Sequence, residues 1–116
     1  MEISLLKVSI GLFAVAAAIG LTLAVMLFRR KATPKPVVFT HGFVASTALV
    51  LLFFHTLRNP LSLFYVAIGL FVLAALGGLL LLANDLRGRP GPLFLVVIHA
   101  AAAVTALTLV LIAALA

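Results

Sequence analysis

The chain has 116 residues, of which 66% are apolar, and its eight basic and two acidic side chains give a net charge of +6. A soluble domain of this size must cover its surface with polar groups, so this composition excludes an ordinary soluble fold. The absence of cysteine excludes disulfides, thiolate catalysis and thiolate metal sites.

Four continuous apolar stretches follow one another along the chain, over residues 3–28, 37–57, 61–83 and 93–116. Each has the roughly 17–25 residues that an α-helix needs to cross about 30 Å of hydrocarbon. Membrane-spanning β-strands would be shorter and would alternate apolar with polar residues. The sequence therefore predicts an all-α polytopic membrane protein with four transmembrane helices, which lies in the lipid bilayer.

The breaks between the stretches carry most of the charge. Six of the eight basic residues lie in 29–36 and 84–92, whereas Lys7 and Arg58 belong to the opposite side. By the positive-inside rule, both breaks are cytoplasmic loops of a bacterial-type plasma membrane protein, with both termini outside. Nucleic acid is excluded as a partner, because it would need a basic soluble surface. We expect Asp85, at the end of the third stretch, to lie near Arg87 or Arg89.

A gapless internal repeat relates residues 1–58 to residues 59–116, with 22 identities among the 58 aligned pairs. Each half holds two stretches, so the halves have the same orientation and are related by a pseudo-twofold axis along the membrane normal. Short connections make successive helices antiparallel neighbours. We therefore expect a single domain, 1–116, folded as an up-down-up-down bundle of two helical hairpins. Because the pattern of the first stretch recurs in the third, we interpret the first as a retained helix rather than a cleaved signal.

His41 and His99 are equivalent in the repeat and fall on the second and fourth helices, which such a bundle places on a diagonal. We expect both imidazoles to face the axis at one depth. The faces predicted to point inward contain Ala45, Ala48 and Leu49 with His41; Ala103, Ala106 and Leu107 with His99; Phe13, Ala16, Ala17, Gly20 and Leu23; and Phe71, Ala74, Ala75, Gly78 and Leu81. Gly20 is expected near the level of Ala45, one turn deeper than His41.

An interior lined by alanine and glycine has two interpretations: close helix packing, or a slot for a flat macrocycle. On the second interpretation, His41 and His99 are the metal-binding axial ligands of one haem b, and the edges of the haem lie near small residues. The remaining candidate cofactor-binding residues are Gly20, Gly78, Ala45, Ala103, Arg29 and Arg87, the arginines meeting the propionates. The alternatives are histidines that only bond neighbouring helices or handle protons or substrate, and arginines that only anchor helix ends.

His55 follows His41 by 14 residues, within about 40° of the same helix face. Two histidines at this spacing on one helix, opposite another helix, resemble the di-haem b-type cytochromes, including the cytochrome b561-like proteins. The resemblance implies a four-helix fold and haem-based electron transfer. However, the repeat equivalent of His55 is Ala113, so only one haem is supported. His55 is then an interfacial side chain beside Arg58 or a contact for a partner subunit.

The leading hypothesis is a membrane b-type cytochrome with one bis-histidine haem, passing electrons to or from quinone or a partner protein. One haem near one face cannot carry electrons across the bilayer alone, so a donor, a quinone or a second haem in a homo-oligomer must complete the route. The alternatives are a cofactor-free accessory subunit and a small transporter, although no carboxylate lies inside a stretch. No nucleophile, acid–base pair or phosphate loop indicates an independent hydrolase or transferase.

Overall fold

The structure, a computed structural model, describes residues 4–89 and 91–116. It contains four helices, α1 (Leu5–Phe28), α2 (Lys35–Arg58), α3 (Ser62–Leu86) and α4 (Leu93–Leu115). Each is long and apolar enough to cross a membrane, and the described residues form no strand. The prediction of an all-α membrane protein with four spans is confirmed. The predicted start of the first span, at residue 3, lies outside the described residues.

The four helices form a closed ring in which sequence neighbours touch. α1 packs against α2 and α4, and α3 packs against the same two helices. Among the described residues, α1 and α3 make no close backbone approach to each other, and neither do α2 and α4. Each of these pairs is therefore a diagonal, as the up-down-up-down prediction requires.

Helices α1 and α3 end in two turns of the same type. Arg30 and Gly88, which are repeat equivalents, both adopt the left-handed conformation, with φ of 56° and 69°. The amide of Lys31 donates to the Met26 carbonyl, and that of Arg89 to the Asn84 carbonyl, each at 2.9 Å. This six-to-one hydrogen bond is the Schellman ending of a helix. The two halves thus share a backbone turn, but the first builds it with an arginine.

The interior contains small side chains and a stacked pair of phenylalanines. Phe13 and Phe71 stack across the axis with ring centroids 4.0 Å apart and planes at 2°. Ala48 and Ala106, also repeat equivalents, are fully buried, and the buried Ser9 hydroxyl donates to the Ala48 carbonyl at 2.8 Å. Small residues let the backbones approach closely, which stabilises helix association in a membrane. Close packing by small residues is therefore one role of the alanine-rich faces.

Two residues predicted to point inward do not. Ala17 and Ala75 are exposed on the surface of the bundle, whereas their preceding neighbours Ala16 and Ala74 are buried. Successive residues of a helix differ by about 100° in direction, so the inward face is narrower than the set of identical residues suggested. The expectation was wrong at these two positions.

The predicted partner of Asp85 was also wrong. Its carboxylate lies 2.7 Å from the Lys35 ammonium group and accepts a hydrogen bond from the Thr33 hydroxyl at 3.4 Å. Because α3 continues to Leu86, Asp85 is still helical and is directed toward α2. Arg87 follows it by two residues, which places it on the other side of the helix. The ion pair therefore joins the two halves of the chain.

Candidate functional site

The paired histidines occupy the same position on two diagonal helices. His41 is the seventh residue of α2, which starts at Lys35, and His99 is the seventh residue of α4, which starts at Leu93. A proline forms the N-cap of each helix, where its missing amide donor costs nothing. Matching helix starts therefore bring the two imidazoles to the same depth, and both are partly buried.

Each imidazole is held by the backbone of the preceding helix. Nδ1 of His41 lies 2.9 Å from the carbonyl oxygen of Ala16, and Nδ1 of His99 lies 2.6 Å from that of Ala74. A carbonyl oxygen can only accept, so Nδ1 carries the proton and donates. In the neutral ring, Nε2 then keeps its lone pair. Nδ1 bonds of this kind orient the histidines that bind metals through Nε2.

Glycines make room for these hydrogen bonds. Gly20 and Gly78 stand one turn after the residues whose carbonyls accept. A Cβ at Gly20 would lie 2.8 Å from Cε1 of His41, and one at Gly78 would lie 3.1 Å from Cε1 of His99. The glycines therefore contact the imidazoles themselves. The expected level of Gly20, beside Ala45, stays a prediction.

The two imidazoles meet across the bundle axis. Their ring centroids are 6.2 Å apart and their planes make an angle of 79°. Two imidazoles that bind one metal ion from opposite sides, with metal–nitrogen distances of about 2 Å, have centroids about 6 Å apart. The separation of the His41 and His99 rings is compatible with this distance, and it is also that of an ordinary edge-to-face contact between two rings.

The number of donors selects the kind of metal centre. Among the described residues, no group of three or more histidine or acidic side chains could hold a metal ion. A structural zinc ion needs four protein ligands, whereas haem iron takes only its axial ligands from the protein. On the number of donors alone, a pair of histidines is sufficient for haem iron and is fewer than a structural zinc ion needs.

The other predicted site residues lie at different distances from the pair. Ala45 and Ala103 are partly buried one turn from the histidines. Arg29 and Arg87 are exposed residues that cap α1 and α3. Each follows its glycine by nine residues, about 13 Å along the helix axis. The contact of these arginines with haem propionates stays a prediction.

His55 is not part of the pair. It lies near the opposite end of α2, where its ring packs edge-to-face on the buried Phe64 with centroids 5.3 Å apart. Its repeat equivalent, Ala113, belongs to the buried core. The aromatic contact was not predicted from the sequence, and the proposed roles at the interface or toward a partner subunit stay predictions.

Two features of the site were missed at the level of sequence. The first is the pair of accepting carbonyls, at Ala16 and Ala74, because backbone acceptors leave no signature in the side chains. The second is the stack of Phe13 on Phe71 across the axis of the same bundle. Its signal was present, since both phenylalanines are conserved between the halves and fall on the predicted inward faces.

The fold and site together describe a four-helix membrane bundle with two equivalent imidazoles across its axis. In comparisons with known proteins, no family model matched the chain, and no curated protein or solved structure gave a significant match. Function is therefore argued from the site itself.

Proposed function

We propose that the protein is a membrane b-type cytochrome in which His41 and His99 bind one haem b for electron transfer. The observation that carries the proposal is the geometry of the pair. Two equivalent imidazoles lie 6.2 Å apart across the axis, and each has its Nδ1 bonded to a carbonyl. If held by both histidines, the haem would supply one-electron chemistry, and electron transfer would be favoured over oxygen activation.

The chain's own residues would orient the ligands and keep water away. The carbonyls of Ala16 and Ala74 hold each imidazole in one tautomer and one orientation. The apolar interior, which contains the stacked rings of Phe13 and Phe71, would exclude water. Because the interior is packed, we expect haem to be incorporated while the two hairpins assemble.

The histidine pair lies near one end of the bundle, so a route for electrons across the membrane needs a further component. His41 lies six residues from the start of α2, about 9 Å along the helix from the end that carries loop 29–34. The bilayer core is about 30 Å thick, so a quinone, a redox partner protein or a second copy of the chain must complete the path. We place loops 29–36 and 84–92 in the cytoplasm and the termini outside a bacterial-type plasma membrane, from the asymmetry of basic residues.

An absorption spectrum of the purified protein tests the proposal. After expression with ample haem, the wild type is expected to show a sharp Soret band, which His41→Ala or His99→Ala removes. His55→Ala is the matched control, because this third histidine lies outside the pair, and it should keep the band. A colourless wild type, or a band that survives both substitutions in the pair, contradicts the proposal.

A cofactor-free accessory subunit is the second candidate, and one observation favours it. The hydrogen bonds of the imidazoles and their contacts with Gly20 and Gly78 also hold the helices together without any ligand. The two candidates differ in the response to added haem. A haem-binding protein gains thermal stability because ligand binds only the folded state, and His41→Ala loses that gain. For a purely structural pair, haem leaves the unfolding midpoint of both proteins unchanged.

A further inference from the structure

The end of the bundle that carries loops 29–34 and 87–92 has an excess of exposed positive charge. Besides Lys35, five exposed basic side chains lie at this end, and we call these five the basic rim: Arg29, Arg30, Lys31, Arg87 and Arg89. The sequence has only two carboxylates. One of them, Asp85, is paired with Lys35. Within residues 4–89 and 91–116, the basic rim therefore forms no ion pair with an acidic side chain.

Contacts between the halves bring the two loops of the basic rim together. Thr33, in the first loop, donates a hydrogen bond to Asp85 at the end of α3. Lys35, the first residue of α2, donates to the Asp85 backbone carbonyl at 3.2 Å in addition to its ion pair. The first loop is thus tied to the helix end from which the second loop starts, and the five cations share one surface.

Arg30 has a backbone conformation that is sterically unfavourable for a residue with a Cβ. Its φ of 56° lies in the left-handed region, which favours glycine because a Cβ is crowded there. At the equivalent turn the second half has Gly88, with φ of 69°. The positive-inside rule requires basic loops but no strained arginine. A strained residue in an otherwise ordinary turn indicates a role for its side chain.

We propose that the basic rim binds the phosphate groups of anionic phospholipids in the leaflet that it faces. Guanidinium groups bind phosphate through paired, charge-assisted hydrogen bonds. The rim begins where α1 and α3 end, which is the level of the lipid headgroups for helices of this length. Clusters of basic residues beside transmembrane helices bind anionic lipids in this way. The proposal does not depend on haem.

Lipid titration of the full chain in a neutral detergent tests the proposal. Phosphatidylglycerol is expected to raise the thermal unfolding midpoint and to remain bound in native mass spectra. Phosphatidylcholine with the same acyl chains, and inorganic phosphate at the same concentration, should do neither. An equal response to phosphatidylcholine overturns charge recognition, and an equal response to inorganic phosphate overturns the assignment to lipid.

Arg30 variants separate lipid binding from folding. Arg30→Gly is expected to raise the lipid-free midpoint, because the turn is relieved of strain, and to weaken phosphatidylglycerol binding about fivefold. Arg30→Gln, which keeps a long side chain without charge, should weaken binding to the same degree. Arg58→Gln is the control, since it removes a cation from the opposite end of the bundle. Wild-type affinity in both Arg30 variants, or an equal loss in Arg58→Gln, overturns the proposal.

Discussion

At each histidine, a single turn of the neighbouring helix supplies both an acceptor and the space to reach it. The Ala16 carbonyl accepts from His41, and Gly20, four residues later, leaves its side of the helix open to the ring. A carbonyl oxygen has two lone pairs, so it can accept this bond in addition to its helical one. A backbone carbonyl thereby holds the imidazole in one orientation, so no second polar side chain is needed for this purpose.

Replacing the glycines tests this fit. Gly20→Ala would place a Cβ 2.8 Å from the His41 ring, so we expect a loss of about 1–3 kcal/mol in the free energy of unfolding. Gly78→Ala should cost less, because its Cβ would be 3.1 Å from His99. The measurement is thermal or denaturant unfolding in detergent.

Gly11→Ala is the matched control for both glycine variants. Nothing lies within 4 Å of a Cβ at Gly11, and alanine has the higher helix propensity. We expect this variant to be as stable as the wild type or more stable. If Gly20→Ala and Gly11→Ala behave alike, the imidazole does not occupy the space over Gly20.

A second residue-scale prediction concerns Ser9, whose hydroxyl bonds the Ala48 carbonyl in the interior. Its repeat equivalent is Ala67, which is equally buried, so the second half packs without this hydrogen bond. Ser9→Ala should therefore lower the free energy of unfolding by only about 0.6 kcal/mol. The exposed Ser46→Ala is the control, and a loss above about 2 kcal/mol would mean that Ser9 does more than bond one carbonyl.

At the scale of the helices, the α2–α3 and α1–α4 interfaces are equivalent in the repeat, but they differ in one ion pair. Asp85 and Lys35 join the end of α3 to the start of α2. At the corresponding positions, α1 and α4 carry Leu27 and Leu93. The lysine side chain is 46% exposed, so solvent screening limits what the pair contributes to stability.

The leucines of the other interface suggest a double-mutant cycle. Lys35→Leu and Asp85→Leu alone should each destabilise the protein, because each leaves one charge without its partner. The double variant reproduces the pair found between α1 and α4, and should recover most of the stability. A coupling energy of about 0.5 kcal/mol, falling as salt is added, is expected. Additive effects of the two substitutions would show that the pair contributes nothing.

The helices were predictable from the sequence because membrane spans depend on length and composition alone. Of the seven boundaries that were predicted within the described residues, five are displaced by one to three residues. The longest displacement is at α3, whose last turn includes Asp85. A carboxylate was interpreted as the membrane boundary, but its partner lies on α2, and no local pattern identifies a partner 50 residues away.

At the scale of the whole molecule, the repeat predicts the diagonal pair of histidines but not the details of packing. Gapless equivalence requires His41 and His99 to occupy equal positions, and the structure has them across the axis. Ala17 and Ala75 were conserved between the halves and still lie outside. Residues that are identical in the two halves occupy the same kind of environment. That environment can be the exposed surface, because the exposed surface of a membrane protein is as apolar as its interior.

The two halves should assemble as separate chains. Residues 1–58 and 59–116 each form a complete hairpin, and the cut falls in the short connection between α2 and α3. Co-expressed halves, with a tag on one of them, are expected to co-purify. Because the Phe13 and Phe71 rings stack across the axis, Phe71→Ala in the second half should lower the recovered amount, whereas the exposed Leu73→Ala should not. Independent purification of the halves would contradict this picture.

The stacked phenylalanines also bear on how tightly the bundle seals the membrane. Phe13 and Phe71 lie face to face at 4.0 Å, which is contact distance and leaves no space for a water molecule between the rings. Continuous water along the axis would be interrupted at this level, and proton transfer between neighbouring water molecules would stop there. In a membrane that maintains a proton gradient, we therefore expect the bundle not to conduct protons along its axis.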